Sequence, residues 1–317
     1  MSYDALLVVS FGGPEGMDDV LPFLENVLRG RNVPRERMLQ VARHYEMFGG
    51  VSPINQQNRQ LIAALEKELE RNGPRLPIYW GNRNWHPLLP GTVARMAEDG
   101  IKNALAFVTS AYSSYSSCRQ YLENIGEAQT QVGPGAPRIE KLRAFYNHPL
   151  FIEANVDHVR AALGQLNDPQ LVFTAHSIPE SMAANCDYAV QLAETGSLVA
   201  RALGIGHWQL VYQSRSGSPM QPWLGPDICD HLRRLASEGV KEVVIAPIGF
   251  VSDHMEIVYD LDFQAQNVAQ EMGMTLVRAA TAGTHPAFVR MIRELILERI
   301  NDKVPPNLCA PDCCLIS

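Results

Sequence analysis

The sequence predicts an α/β protein built from two similar halves, each a parallel sheet flanked by helices. Three observations carry that expectation. Short apolar runs alternate with longer stretches of helical period along nearly the whole chain. Two of those runs, residues 5–11 and 243–248, are apolar at almost every position, as strands covered on both faces are. The segments between strands are long enough to be helical crossovers, which join parallel neighbours with a right-handed turn. With 317 residues, 46% of them apolar and 19% charged, the chain can fill one large or two ordinary cores.

Residues 5–11 are the first predicted strand, closed by Gly12-Gly13-Pro14 and followed by a helix over 17–28. A second helical region, 34–47, runs into Phe48-Gly49-Gly50-Val51-Ser52-Pro53, a loop because Gly-Gly and Ser-Pro interrupt both periods. From Asn55 an amphipathic helix sets Leu61, Ile62, Leu65 and Leu69 along one side and ends at Gly73-Pro74. Strands at 77–80 and 104–109 enclose a helix around 92–97, and the polar, aromatic stretch 111–118 opens a helix through Tyr121 and Ile125. The second half repeats the plan. Its strands are predicted at 171–174, 209–212, 243–248 and 275–278, with helices at 188–203, 227–236 and 257–272 between them. His148-Pro149 opens a long helix near the division, which gives domains 1–150 and 151–284. The helix over 286–300 has no strand after it, so 285–317 is expected to pack back on the first domain.

Several function classes drop out. A formal charge of −7, from 27 basic and 34 acidic residues, provides no basic footprint for nucleic acid. No apolar run is long enough to span a bilayer, and no basic amphipathic helix stands out. Met1-Ser2-Tyr3-Asp4 lacks a signal-peptide pattern, so a cytoplasmic protein is expected, with at most transient membrane contact. Ser10-Phe11-Gly12-Gly13-Pro14 is no Gly-x-Gly-x-x-Gly, and its proline replaces an N–H that a phosphate-binding helix would donate. A dinucleotide site is therefore not expected despite the doubly wound plan.

The chemistry gathers at predicted strand ends. One strand ends in Ala175-His176-Ser177, and 243–248 leads into Gly249-Phe250-Val251-Ser252-Asp253-His254-Met255-Glu256. In open α/β sheets the carboxyl edge is where ligands bind. Glu256 and Asp260 are i and i+4, one face of a helix, whereas His254 lies two residues before Glu256. Either the helix starts after His254 or its turn widens into a π-bulge. Imidazole and carboxylate together suit a loosely held divalent cation such as Fe²⁺, and they equally suit proton transfer.

These segments resemble the ferrochelatase family. The resemblance rests on Thr174-Ala175-His176-Ser177-Ile178-Pro179, Tyr212-Gln213-Ser214-Arg215-Ser216-Gly217, Pro222-Trp223-Leu224 and Pro247-Ile248-Gly249-Phe250-Val251-Ser252-Asp253-His254-Met255-Glu256. Phe48-Gly49-Gly50-Val51-Ser52-Pro53-Ile54 and Gly81-Asn82-Arg83-Asn84-Trp85 extend it in colinear order over almost the whole chain. It implies two Rossmann-like, chelatase-like domains with the active site in a cleft between them, and insertion of Fe²⁺ into a porphyrin. By position, His176 and Glu256 would be the catalytic, metal-handling pair, converging across a tetrapyrrole-sized gap, with the histidine either accepting pyrrole protons or binding iron. His254, Asp260 and Asp262 would form a supporting path. Ser52, Tyr121, Phe11 and Trp223 would contact the porphyrin, with Met220 and Leu224 adding apolar wall. Some members carry an axial tyrosine ligand at Phe11, a role phenylalanine cannot fill. Binding a saddled ring would expose the pyrrole lone pairs and lower the barrier to metal entry.

The chain has six cysteines, three of them in Cys309-Ala310-Pro311-Asp312-Cys313-Cys314 after a Pro305-Pro306 break. Three thiols so close together suggest a soft-metal site lacking one ligand. Family members that hold a [2Fe–2S] cluster carry one cysteine at the position of Cys118 and three near the C-terminus, so the resemblance implies a cluster on Cys118, Cys309, Cys313 and Cys314. Structural Zn²⁺ is the rival. Cys186 and Cys229 read as packed thiols. For the substrate, protoporphyrin IX is the main expectation and coproporphyrin III the alternative. Arg29, Arg31 and His44 are candidates to hold the second porphyrin's extra propionates. A non-catalytic haem- or metal-binding protein on the same fold is the reading from another class.

Overall fold

Ala5–Ser10 forms β1, and all six residues are buried because the strand lies inside a parallel sheet covered on both faces. The structure, a computed structural model, describes residues 2–30, 33–216, 220–301, 303 and 313–314. Helices α1 (Met17–Val27), α2 (Arg35–Glu46) and α3 (Ile54–Asn72) precede β2 (Ile78–Asn82), then come α4 (Leu89–Glu98) and β3 (Asn103–Val108). A π-helical turn, Tyr115–Arg119, leads into α5 (Gln120–Val132), with β4 (Arg138–Lys141) after it. The widened turn has a local cause. Ser114 accepts the N–H groups of Cys118 and Arg119 at its carbonyl (3.0 and 3.2 Å) and that of Ser117 at its hydroxyl (3.1 Å).

Next come α6 (Pro149–Leu163), β5 (Gln170–His176), α7 (Glu180–Ala183), α8 (Tyr188–Leu203), β6 (Trp208–Gln213), α9 (Ile228–Ser237) and β7 (Glu242–Ala246). After β7 lie α10 (Met255–Ile257), a π-helix over Val258–Ala265, α11 (Gln266–Glu271), β8 (Thr275–Arg278) and α12 (Pro286–Ile300). All strand pairs are parallel. The strand orders are β2-β1-β3-β4 and β6-β5-β7-β8, the same plan twice.

The chain forms two units. One holds Met1–Thr109, Gln120–Leu142 and Ile292–Val304; the other holds Ser110–Arg119, Arg143–Met291 and Pro305–Ser317. In the first unit, inward residues of β1 and β3 (Ala5, Leu7, Val9, Ala104, Ala106) meet Val93 and Met96 of α4 and Ile125 of α5. Arg299 near the end of α12 pairs with Glu140 of β4, and Arg293 donates to the carbonyl of Gly73 at 2.6 Å. The core of the second unit sets Val172, Val211, Val243 and Ile245 against Leu232, Leu261 and Val268.

Three differences from the sequence expectations have physical reasons. β4 was not expected, because Arg-Ile-Glu-Lys is charged and lies at a sheet edge where no apolar pattern is required. β7 stops at Ala246 rather than running to 248, since Pro247 cannot donate to the ladder. The single helix expected over 257–272 is three pieces, with a π-helix in the middle.

Candidate functional site

The site of the second unit begins at the point where its strand order reverses. β5 and β7 are adjacent, but the chain leaves them in opposite directions, which opens a crevice at their carboxyl ends. The loop after β7 crosses directly over β5 there: Gly249 donates to the carbonyl of Thr174 at 3.0 Å. A Cβ on Gly249 would stand 2.6 Å from the Cα of Ala175, so only glycine permits this approach. That crossing delivers His254 and Glu256 to the end of β5, where His176 waits.

Nε2 of His176 lies 3.4 Å from Oε1 of Glu256. The expected ring-sized gap between the two is therefore corrected: they form a direct pair on one sheet edge, because the close crossing at Gly249 brings the loop down onto β5. Nδ1 of His176 faces the carbonyl of Ser177. A carbonyl can only accept, so Nδ1 carries a proton and Nε2, turned to Glu256, is the atom at which the ring gains or loses one. Backbone bonds hold the imidazole's base still. Tyr188 donates its hydroxyl to the carbonyl of His176 (3.0 Å), and Ser177 donates its N–H to that of Gln213 (2.8 Å).

His254 caps the short helix, accepting the N–H of Glu256 at Nδ1 (3.2 Å), and its ring meets Phe250 edge-on. Both sequence alternatives hold here, since the helix starts after His254 and a π-helix follows. Gln213 donates Nε2–H to the backbone carbonyl of Glu256 at 2.8 Å, and Ser214 donates its hydroxyl to the carboxylate of Asp260. Ser214 takes a left-handed φ of 62° to do so. The i, i+4 acids thus aim at the same edge, one at His176 and one at Ser214. Asp262, which the path was expected to include, instead pairs with Arg278.

Charge follows from this geometry. Burial pulls the His176 imidazole down, but the Glu256 carboxylate, its hydrogen bond and the Asp260 charge outweigh that and push it up to about 9. Burial favours neutral Glu256, yet His176 and His254 together bring its carboxyl down to about 2. Asp260 is raised to about 7, chiefly by burial, with the Ser214 bond opposing and the Glu256 charge adding. His254 is lowered, again first by burial. The cluster can therefore exchange protons near neutrality, and with one imidazole and one carboxylate in contact it can hold a divalent cation loosely.

The remaining predicted residues divide between the units. Trp223 belongs to the second; it bridges to Pro179 beyond His176, and its indole N–H is buried with no partner among the described residues. Met220 is 88% exposed. Ser52, Phe11 and Tyr121 belong to the first unit. Ser52 is buried against Gly13, whose Cβ would fall 2.7 Å from its own. Tyr121 is a core residue with the Arg83 guanidinium 4.5 Å from its ring centroid. Phe11 is half-buried, edge-on to Phe23, with Arg83 5.8 Å from its ring. Sequence reasoning missed Gln213, Ser214 and Arg278. The first two stand in a motif already noted, though nothing in one sequence assigned them a task; Arg278 gave no signal beyond a cation at the end of an apolar strand.

Cys118 is buried in the π-turn, Cys313 is half-buried and Cys314 buried, while Cys309 and Arg31 lie outside the described residues. Among the described residues no three His, Cys, Asp or Glu side chains are gathered as a metal site. Nor do the acids and imidazoles around Glu256 close into a cage.

Comparison with known proteins agrees in extent. The family profile described as Ferrochelatase matches residues 3–300. A protein of Rhodopirellula baltica named Ferrochelatase is 56% identical, covering 99% of this chain and 93% of its own. One of Nocardia farcinica named Coproporphyrin III ferrochelatase is 50% identical, covering 99% and 97%. Among solved structures, SirB from Bacillus subtilis with Fe³⁺ superposes with a TM-score of 0.59 at 12% identity over 95% of this chain and 98% of that one, which shows the fold alone. A profile that spans both sheets, and relatives half identical over the full length, place this chain in the ferrochelatase family.

Proposed function

We propose that this ferrochelatase inserts Fe²⁺ into coproporphyrin III, with His176 and Glu256 as the catalytic pair. The observation that carries the site assignment is the 3.4 Å contact between Nε2 of His176 and the Glu256 carboxylate at the β5–β7 crevice. It supports a division of labour. Two protons must leave the pyrrole nitrogens as one dication enters; His176, held as imidazolium by Glu256 below about pH 9, takes one at Nε2 only after handing on the proton already there, so it serves as a relay. Glu256 stabilises that imidazolium, and Asp260, raised toward neutrality, can pass each proton onward through Ser214. His254 and Asp260 support the pair from the π-helix and its cap.

The choice of porphyrin reverses the order expected from sequence. What supports it is the company of relatives: proteins from Nocardia farcinica and Streptomyces coelicolor, 50% and 48% identical, are named Coproporphyrin III ferrochelatase. Protoporphyrin IX remains the second reading, because the relative at 56% identity is named only Ferrochelatase. Anaerobic steady-state assays with both porphyrins decide between them. A larger kcat/KM for coproporphyrin III is expected; a preference for protoporphyrin IX would reverse the assignment. Haem retention without turnover of either would favour a non-catalytic binding protein.

Ser52, Tyr121, Phe11 and Trp223 are proposed as porphyrin contacts, a reading that the family resemblance alone supports. A [2Fe–2S] cluster on Cys118, Cys309, Cys313 and Cys314, or a structural Zn²⁺, is a separate proposal supported by cysteine number and order alone. Visible absorbance lost in Cys118→Ser would support the cluster, and colourless protein with stoichiometric zinc would support the rival. The domain limits 1–150 with 285–317, and 151–284, are proposed for limited proteolysis to test. A cytoplasmic location is proposed as well; no helix among the described residues is long and apolar enough to cross a membrane.

A further inference from the structure

We propose that Arg278 is a positioning residue for the iron site, its guanidinium shared between Asp253 and Asp262 so that it pins both ends of the segment carrying His254, Glu256 and Asp260. The inference rests on the reading of His176 and Glu256 as the site of metal entry.

The topology puts Arg278 where it can do this. β8 runs beside β7, with Arg278 opposite Ile245, so its side chain emerges at the carboxyl edge next to the loop that leads to His254. Nη1 and Nη2 donate to Oδ1 and Oδ2 of Asp253 at 3.2 and 3.1 Å. Nε and Nη2 donate to Oδ1 and Oδ2 of Asp262 at 2.5 and 3.0 Å. The remaining Nη1 proton faces the carbonyl of Ala279 at 3.4 Å. Every N–H of the fork is thus engaged within the protein, and none is left to bind an outside anion such as a propionate. Thr281 adds a hydroxyl to Asp253 at 3.0 Å.

The two carboxylates are not arbitrary partners. Asp253 is the residue before His254, and Asp262 lies two beyond Asp260, inside the π-helix. A π-helical stretch is rare and occurs mostly at functional sites, so the contacts that flank this one bear on where its side chains stand. On the opposite flank β6 supplies them, through Gln213 to the carbonyl of Glu256 and Ser214 to Asp260. Arg278 supplies them from β8, and one planar fork with charge-assisted bonds to two carboxylates fixes the distance between those carboxylates. A lysine, a point charge with freely rotating donors, would hold one carboxylate at a time.

The test is the affinity of the whole protein for Co²⁺, read from its visible absorption, together with KM for Fe²⁺ and for the porphyrin, in wild type, Arg278→Met, Arg278→Lys and Asp262→Asn. Arg278→Met is expected to weaken Co²⁺ binding and raise the Fe²⁺ KM about tenfold, as loss of a group that orients a metal ligand from outside typically does. The porphyrin KM should stay within about twofold, and Arg278→Lys should recover less than half of the loss. Asp262→Asn, a milder change, should move the same two quantities in the same direction by a smaller factor. It keeps the test decisive if Arg278→Met does not fold. Unchanged Co²⁺ affinity in the folded variants, or parallel rises in both KM values, would overturn the proposal. A wild type that binds Co²⁺ through Arg278-dependent geometry yet turns over neither porphyrin would sink the functional reading and leave the positioning role standing.

Discussion

The two sheets share one strand order, yet their carboxyl edges carry opposite kinds of residue. In the first unit, β1 ends in Ser10 and β3 is followed by Thr109, whose hydroxyl donates to that of Ser10 at 3.0 Å. Around them are Gly12, Gly13 and the amides of Asn55 and Asn82, bonded to one another at 3.2 Å. None of these ionises near neutrality. In the second unit the equivalent ends, of β5 and β7, bring an imidazole, a depressed carboxyl and a raised one to the same edge. The lesson is that topology provides a crevice twice, and the residues installed in it decide whether it does proton and metal chemistry or only shapes a surface.

That contrast can be broken by substitution, and the largest effect is expected at His176. His176→Ala removes the only side chain that pairs with Glu256 from β5, and iron insertion should fall about 10²–10⁴-fold, the usual share of a proton-transferring group. A rate within threefold of wild type (~3-fold being ordinary for a bystander) would show that the second edge is no more special than the first.

Next is the crossing itself. Gly249→Ala places a Cβ against the Ala175 backbone, where nothing flexible can give way. Chemical denaturation should show a loss of about 1–3 kcal/mol, and the Fe²⁺ KM should rise with it as the loop lifts from β5. Stability lost with no change in metal affinity would separate the crossing from the site.

The pH response sharpens the comparison further. His176 is raised by Glu256, so its contribution to stability is complete below its ordinary value of 6.5 and lost as pH rises through about 9. Glu256 is depressed, so its contribution is complete above 4.5 and lost as pH falls through about 2. Asp260 runs the other way. A carboxyl raised to about 7 favours the folded state when protonated, so its ionisation costs stability progressively as pH climbs from 3.8 through about 7. Asp260→Asn should therefore raise the melting temperature at pH 8 more than at pH 5. An equal change at both would mean that Asp260 is ionised throughout.

The smallest effect belongs to the first edge. Thr109→Val deletes the hydroxyl bond to Ser10 and should cost about 1 kcal/mol in stability. The pH profile of iron insertion should be unchanged, and a shifted acid or alkaline limb would place titrating chemistry on the first sheet as well.

Much of this was legible beforehand, and what was missed has identifiable causes. The strand at 5–11 and the helices at 188–203 and 286–300 were readable because burial on both faces, or along one stripe, leaves a periodic apolar record. β4 leaves none, being short, charged and at an edge. His176 and Glu256 were visible as charged groups placed just past apolar runs. Gln213 was not, because a glutamine whose amide holds a backbone carbonyl looks like any other polar residue in a string of letters.

By itself the sequence determined two parallel sheets of repeated plan, the strand ends that carry imidazole and carboxylate, and membership of a family recognisable along the whole chain. Those follow from local composition and order, since each strand declares its own burial and each motif its own chemistry. Only the tertiary structure decided that His176 and Glu256 touch and that Asp262 answers to Arg278. Such facts depend on how closely a loop can cross a strand, as at Gly249, and on which distant side chains meet there. Distances of that kind are settled by packing between elements and have no signature within any one of them.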